Sequence, residues 1–380
     1  MSALAGIKVV DLTRILAGPF CTQLLADMGA DVIKIEPVGG DPVRSQGTMV
    51  DGFSAYFAQF NRNKKSVVLD LYADSGKAHL QRLLIDADVV VENYRPGVFA
   101  KMGFDDGRLA SINARLIHAS VNGYGSTGPY AERPSFDFIA QAMSGFMAVN
   151  GEPDGAPMRA APPMSDLIAG LYCAFGVVSA LQARQRTGRG QAVESSLTGG
   201  LMSMLAYLSA QTLNAGTNPT RTGNDHPIAS PYGLFEASDG QIAVAPSNDT
   251  YVLRFLQSLG LQALLDDTDF ADNKARVRNR RAINELINVK TRKQSVEYWI
   301  EQINAGGCPC GRIMELTEVF RDPQVIAQQM VIDTLPVGRQ NIRVTGFPVK
   351  LSDTPCELRF PAPELGQHSH EFGIEPQIEA

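Results

Sequence analysis

GIKVVDLTRILAGPFCTQLLADMGADVIKIE, residues 6–36, decides the fold class. Ile7 to Val10 and Val32 to Ile35 are short apolar runs rich in β-branched residues, the kind that is buried on both faces of a parallel sheet. Between them, Phe20 to Gly29 carries Leu24, Leu25 and Met28 at helical spacing, and Gly29 is a natural stop. These residues make one β-α-β unit. Val67 to Leu71, Val89 to Val91 and Leu116 to Val121 repeat the rhythm, so the expectation is an α/β chain whose large, Rossmann-like domain holds a parallel sheet. The first strand runs into Arg14-Ile15-Leu16-Ala17-Gly18-Pro19, not G-x-G-x-x-G, which argues against a dinucleotide pyrophosphate site.

At 380 residues the chain is long for one core and reads as two domains. The expected division is a large domain over residues 1–212, a linker over 213–227 rich in Asn, Gly, Thr and Pro, a small α+β domain over 228–325, and a return segment over 326–380 that completes the large domain. Tyr232 to Ala237 and Gln241 to Ala245 flank Ser238-Asp239-Gly240 as a hairpin, and segments near 250–260, 277–290 and 294–304 read as helices. From about Val331 the chain becomes Pro-rich and extended.

Hydrophobic content of 44% and charged content of 19% are those of a globular protein, and a net charge of −6 argues against general nucleic-acid binding. The N-terminus lacks a secretory pattern, and no uninterrupted apolar run reaches membrane-spanning length, so a cytoplasmic location without membrane contact is expected. Cys21, Cys173, Cys308, Cys310 and Cys356 form an odd set without zinc spacing and are expected as free thiols. His368 and His370 lie in the C-terminal tail and read as surface residues.

Met164-Ser165-Asp166-Leu167-Ile168-Ala169-Gly170 opens a helix with Leu167, Ile168, Leu171, Phe175, Val178 and Leu181 as its apolar stripe, closed by Gly188 after Arg186 and Thr187. Ser165 is the expected N-cap. Asp166 then sits in the first turn, where the helix dipole lowers a carboxyl pKa and favours the anion. Local physics alone is equally satisfied by an Asp166 that only supports the helix start.

A wider pattern singles this aspartate out. The opening segment through Glu36, Asn61-Arg62-Asn63-Lys64-Lys65-Ser66, Val91-Glu92-Asn93-Tyr94-Arg95-Pro96-Gly97, Asn122-Gly123-Tyr124-Gly125 with Gly128-Pro129, the Asp166 segment, Arg186-Thr187-Gly188-Arg189-Gly190-Gln191 and Leu365-Gly366-Gln367-His368 closely resemble, in this order, the class III coenzyme A transferase family. That family includes formyl-CoA and carnitine CoA-transferases. The resemblance implies a transferase with coenzyme A as substrate, no tightly bound cofactor or metal, and Asp166 as nucleophile. It implies a CoA site at Ile15, Leu16, Leu69, Tyr72, Asn93, Tyr94 and Lys101, with Lys101 on a phosphate. An acyl-CoA, succinyl-CoA by resemblance to dicarboxylate-using relatives, and a small carboxylic acid would be the partners. An interlocked-ring homodimer is implied as well.

Departures from the family narrow the reading. Pro37 stands where the oxalate branch carries arginine, and Val244-Ala245-Pro246-Ser247-Asn248 replaces that branch's glycine-rich loop, which argues against oxalate or formyl-CoA specificity. Arg44 and Arg62 are candidate partners for a second substrate carboxylate, with a solvated surface role as the ordinary alternative. The racemase branch of the same superfamily needs a histidine at the position of Phe136, and a benzyl group carries no proton. A non-catalytic acyl-CoA binding protein is the remaining alternative.

Overall fold

The computed structural model describes residues 2–334 and 340–375, and the chain divides into two units. Unit 1 comprises Met1–Phe146, Arg159–Ala210 and Asp322–Ala380; unit 2 comprises Met147–Met158 and Gln211–Arg321. Residues 147–158, expected within the large domain, therefore cluster with the second unit, as does the whole expected linker 213–227.

Unit 1 is built on a six-stranded parallel sheet: β1 Lys8–Asp11, β2 Asp31–Glu36, β3 Lys64–Val68, β4 Val89–Glu92, β5 Ile117–Asn122 and β6 Ala192–Ser196. The order is β3-β2-β1-β4-β5-β6, with all neighbours parallel. Chain direction across the sheet reverses between β1 and β4, which makes a topological switch point at their carboxyl ends. The third strand begins three residues earlier than its apolar run suggests, because Lys64 and Ser66 are polar yet fully buried. The edge strand β6, Ala-Val-Glu-Ser-Ser, has too little apolar character to be visible in sequence.

Alternating residues divide the core into two layers, as the twofold repeat of a strand requires. Val9, Val32, Val89, Val91 and Ile117 face one side, against α1 (Ala17–Asp27) and the long helix α3 (Met164–Thr187); α2 is Asp137–Met143. Val10, Ile33, Ile35, Val67 and Val90 face the other, against Leu80, Leu84, Phe99 and Leu109. α3 does not bury the stripe expected of it. Ile168 and Leu181 are inside, but the inward face is Ala169, Gly170, Cys173, Ala174, Val177 and Ala180, while Leu171, Phe175 and Val178 point out. The reason is close approach: a Cβ on Gly170 would stand 2.4 Å from the Ala17 carbonyl oxygen, so only small residues fit between α3 and α1. With apolar residues on both faces, α3 is long and apolar enough to cross a membrane by length and composition, and half of its most apolar window is buried inside the protein. Gly188, with φ +70°, ends it as expected.

Beneath β1 to β3 lies a buried ionic network. Asp11 pairs with Lys64 at 3.0 Å and accepts from the Thr13 and Thr22 hydroxyls. Lys34 pairs with Asp41 at 2.9 Å and donates to the Thr13 carbonyl at 2.8 Å. Arg62 pairs with Asp27, and Arg44 makes a two-pronged pair with Glu36. Arg44 and Arg62 are therefore neither solvated surface groups nor free carboxylate receptors; burial obliges each to be paired within the fold. The return segment docks on edge strand β3, where His368 exchanges hydrogen bonds with the Ser66 backbone and the Ser369 hydroxyl accepts from Val68 N–H. His368 is thus a half-buried structural residue.

Unit 2 holds an antiparallel three-stranded sheet in which Gly240–Val244 lies between Gly233–Ala237 and Cys310–Arg312. Helices Asp249–Leu259, Arg280–Thr291 and Val296–Ala305 enclose its core around Phe235, Phe255 and Trp299. Asn248, at the end of Val244-Ala245-Pro246-Ser247-Asn248, caps the first of these helices by accepting from Tyr251 N–H. The Pro-rich return contains one antiparallel pair, Val331–Thr334 with Ile342–Thr345, that its composition conceals.

Candidate active site

A cavity of about 200 Å³ opens at the switch point. The loops after β1, β4 and β5 supply Arg14 to Ala17, Asn93 to Pro96 and Asn122 with Gly123; the approach to α2 adds Arg133 to Phe136, and α3 adds Asp166. The loops after β1 and β4 are locked together: the Arg14 N–H donates to Asn93 Oδ1 at 3.0 Å, and Asn93 Nδ2 donates to the Arg14 carbonyl at 2.8 Å. Ile15 sits at φ +70°, a region that costs a β-branched residue on the order of 1–3 kcal/mol. The Asp41 carboxylate compensates by accepting its N–H at 3.2 Å, and Asp41 is itself held by Lys34. The buried ionic network thus reaches the cavity wall through one backbone position.

Asp166 is the third residue of α3, and Pro163 rather than Ser165 precedes the helix as N-cap. The cap is supplied from outside. Asp137, at the start of α2 and buried, accepts from the Ser165 N–H and hydroxyl, both at 2.9 Å, and from Gln141 Nε2 at 2.7 Å. This arrangement reverses the expected electrostatics of the neighbouring residue. Burial, followed by the negative charge of Asp137, raises the Asp166 pKa to about 7, so the helix terminus does not lower it. A carboxylate of that basicity is a better nucleophile than an ordinary aspartate, and it is partly protonated at neutral pH. If the anion is the reactive form, kcat/KM falls as pH drops through about 7. Asp137→Asn keeps an oxygen for the cap and removes the charge, so it should move this acid limb to lower pH in a pH–rate profile. An unmoved limb would show that Asp137 does not tune Asp166.

A second cleft, of about 420 Å³, shares Arg14 and Tyr94 with the first. It runs between Pro37–Pro42 and Leu69–Tyr72 and includes Ile35, Leu12 and Met102. Of the residues singled out in sequence, Ile15, Leu16, Asn93, Tyr94 and Asp166 meet in the smaller cavity, and Leu69, Tyr72 and Tyr94 in the larger cleft. Lys101 lines neither: it is exposed at the end of the short helix Val98–Lys101, one residue before Met102. Arg133 and Asp137 escaped sequence reading. The signals were the position of Arg133-Pro134-Ser135-Phe136-Asp137 between a strand and a helix and its match, at Phe136, to the racemase branch's histidine; neither indicates that Asp137 would bond to the neighbour of Asp166.

The CoA-transferase family III model matches residues 4–369. The chain is 39% identical over 373 residues to the succinate–glutarate CoA-transferase of Agrobacterium fabrum, across 96% of this chain and 93% of that protein. It is 38% identical over 366 residues to the acetyl-CoA:oxalate CoA-transferase of Acetobacter aceti, across 95% and 92%. A crystal structure of a CAIB/BAIF family protein from Brucella suis matches with a TM-score of 0.87 at 38% identity, covering 98% of each chain. With the parallel sheet, the switch-point cavity and these full-length matches in agreement, the chain belongs to CoA-transferase family III and is a CoA-transferase.

Proposed function

We propose that the protein transfers CoA from succinyl-CoA to a short dicarboxylic acid through Asp166. The observation that carries this reading is that Asp166 is the one acidic residue on a cavity wall that also holds Arg14, Arg95 and Arg133, beside a second cleft of about 420 Å³ that shares Arg14 and Tyr94 with it. The names of the relatives, which act on glutarate and oxalate, support the substrate class. The Asp166 carboxylate attacks the donor thioester carbonyl, giving a mixed anhydride and CoA thiolate; the thiolate then attacks the aspartyl carbonyl and releases the donor acid, leaving an Asp166–CoA thioester. The acceptor carboxylate attacks this thioester to form a second anhydride, and the thiolate attacks the acceptor carbonyl, restoring Asp166. Every step exchanges one activated acyl group for another. The N-terminus of α1, which has no side-chain cap, begins on the cavity wall at Ala17, and its first N–H groups are the proposed oxyanion donors. Ile15, Leu16, Asn93 and Tyr94 would hold the pantetheine arm and Leu69 and Tyr72 the nucleotide end, with Lys101 reaching a phosphate from the rim.

Incubation with succinyl-CoA and hydroxylamine should convert Asp166 to a hydroxamate detectable by peptide mass spectrometry. Absence of the hydroxamate in active protein would overturn the aspartyl route.

The working form in this proposal is a cytoplasmic homodimer of interlocked chains. The outward face of α3, with Leu171 50% and Phe175 70% exposed, and Met202 47% exposed on Leu197–Ser203, supports burial by a second copy. The chain also leaves unit 1 at Ala210 and re-enters it at Asp322, as threading requires. Such an interface would exceed the ~1,600 Å² of a standard complex. Sedimentation over a thousandfold dilution should show no folded species near the 41.0 kDa chain mass; an active monomer would refute the interlocked form.

A further inference from the structure

Four charged side chains line the Asp166 cavity, and three are arginines. Elsewhere in unit 1, arginines are tied into the fold: Arg44 to Glu36, Arg62 to Asp27, Arg184 to Asp88, and the exposed Arg359 to the carbonyls of Ala26 and Ala30. Arg133 is different. Its side chain is exposed, and among the described residues its guanidinium has no carboxylate or carbonyl partner; it lies 3.8 Å from the centroid of the Tyr130 ring. Tyr130 is braced edge-on by Tyr124, with centroids 5.7 Å apart. A guanidinium stacked on an aromatic face keeps its N–H edges free and fixed in plane, the geometry that takes a carboxylate with two parallel hydrogen bonds.

Position separates Arg133 from the other two cations. Arg14 forms part of the wall common to both cavities, and Arg95 follows Tyr94, the other shared residue, so both stand on the side of the smaller cavity that adjoins the larger cleft. Arg133 belongs to the segment between β5 and α2 and lines only the smaller cavity. Four residues later in the same segment, Asp137 bonds to Ser165, the neighbour of Asp166. Close packing of Ser135 on Gly123, where an added Cβ would meet the Ser135 Cβ at 2.4 Å, holds the segment against β5. The cation and the nucleophile are therefore mounted on one tethered frame.

We propose that Arg133 is the specificity-determining residue that binds the second, unreacting carboxylate of a dicarboxylic substrate while Asp166 engages the first. This inference rests on the aspartyl transfer reading above. Dicarboxylate substrates would then be selected over monocarboxylates of equal length because the Arg133 edge, desolvated by the acyl chain, is left unpaired by a methyl terminus.

The test uses hydroxylamine as acceptor, so that acceptor identity does not enter. Each enzyme molecule yields one Asp166 hydroxamate and stops, so the second-order rate constant for this single-turnover modification, at saturating hydroxylamine and low acyl-CoA, is measured with succinyl-CoA and with butyryl-CoA for the wild type, Arg133→Met, Arg133→Lys and Arg14→Met. Arg133→Met should lower the succinyl-to-butyryl ratio by about 10- to 100-fold, consistent with loss of a charge-assisted bidentate contact. Arg133→Lys should restore part of it, and Arg14→Met should weaken both donors without changing the ratio. A ratio for Arg133→Met within threefold of wild type, or equal losses for the two donors, overturns the assignment. Failure of wild-type protein to form hydroxamate from any acyl-CoA would instead defeat the aspartyl route itself, so the two failures are distinguishable.

Discussion

Asp166→Asn should lose CoA transfer by roughly four orders of magnitude, the scale on which removing a covalent nucleophile acts, while CoA affinity stays within a few-fold of wild type. The amide preserves the shape of the cavity wall and the packing of α3, and Asp166 does not line the larger cleft against Pro37–Pro42 and Leu69–Tyr72, where the proposal puts the nucleotide end of CoA. Steady-state transfer assays and CoA titration check the two halves; turnover within tenfold of wild type would sink the assignment. The same substitution should stabilise the protein. The Asp166 pKa rises from 3.8 to about 7 because burial and then Asp137 oppose its charge. Between those values the folded state binds more protons than the unfolded state, so this group's contribution to stability declines as pH rises through the window and is fully lost above about 7. The Asn variant escapes that loss. Its melting temperature should therefore exceed wild type at pH 8 and converge on it near pH 4, which reads the raised pKa independently of activity.

Lys64→Met should cost about 3–5 kcal/mol of stability, because it strands the Asp11 carboxylate at zero exposure without its ammonium partner. Burial alone would push the Asp11 carboxyl up, but Lys64 and Lys34, with the Thr13 and Thr22 hydroxyls, bring it below the usual range. Removing Lys64 withdraws the largest of these supports. The double variant Asp11→Asn/Lys64→Met should recover a substantial part of the loss, since a neutral pair no longer carries an uncompensated charge. Urea unfolding of the three variants reads both effects. A single-variant loss under about 1 kcal/mol would show that the network is not a buried ion pair in solution. A secondary loss of transfer is expected, because Thr13 and Asp41, which belong to the same network, position Ile15 on the cavity wall.

These two residues illustrate how differently fold and site were legible. Asn61-Arg62-Asn63-Lys64-Lys65-Ser66 and the charged residues around Val32 to Ile35 carry a family resemblance without announcing what they do. In the structure Arg62, Lys64, Lys34 and Glu36 are buried partners of Asp27, Asp11, Asp41 and Arg44, so they hold the sheet and its first loop; none lines the Asp166 cavity, and Glu36 alone of the four reaches the larger cleft. A sequence shows charge but not burial, which is why Arg44 and Arg62 read as surface groups. The stripe on α3 misled for a related reason: periodicity shows that a face is apolar, not which of two apolar faces meets the sheet.

By itself the sequence determined the parallel α/β class, five of the six strands of the main sheet, and the hairpin and helices of the second unit, while the family resemblance spread along the chain marked Asp166 as the residue to watch. The elements are local properties, set by apolar runs, helical spacing and turn residues, and they survive without knowledge of distant contacts. Only the tertiary structure decided the rest. It brought Asp137 to the start of α3, where a neighbouring charge and burial raise the Asp166 pKa instead of the helix dipole lowering it. It stacked Arg133 on Tyr130 beside the same cavity, and it docked His368 against Ser66 about 300 positions away. Each of these outcomes depends on which groups lose water together, and desolvation is a property of packing that neighbours in sequence do not encode.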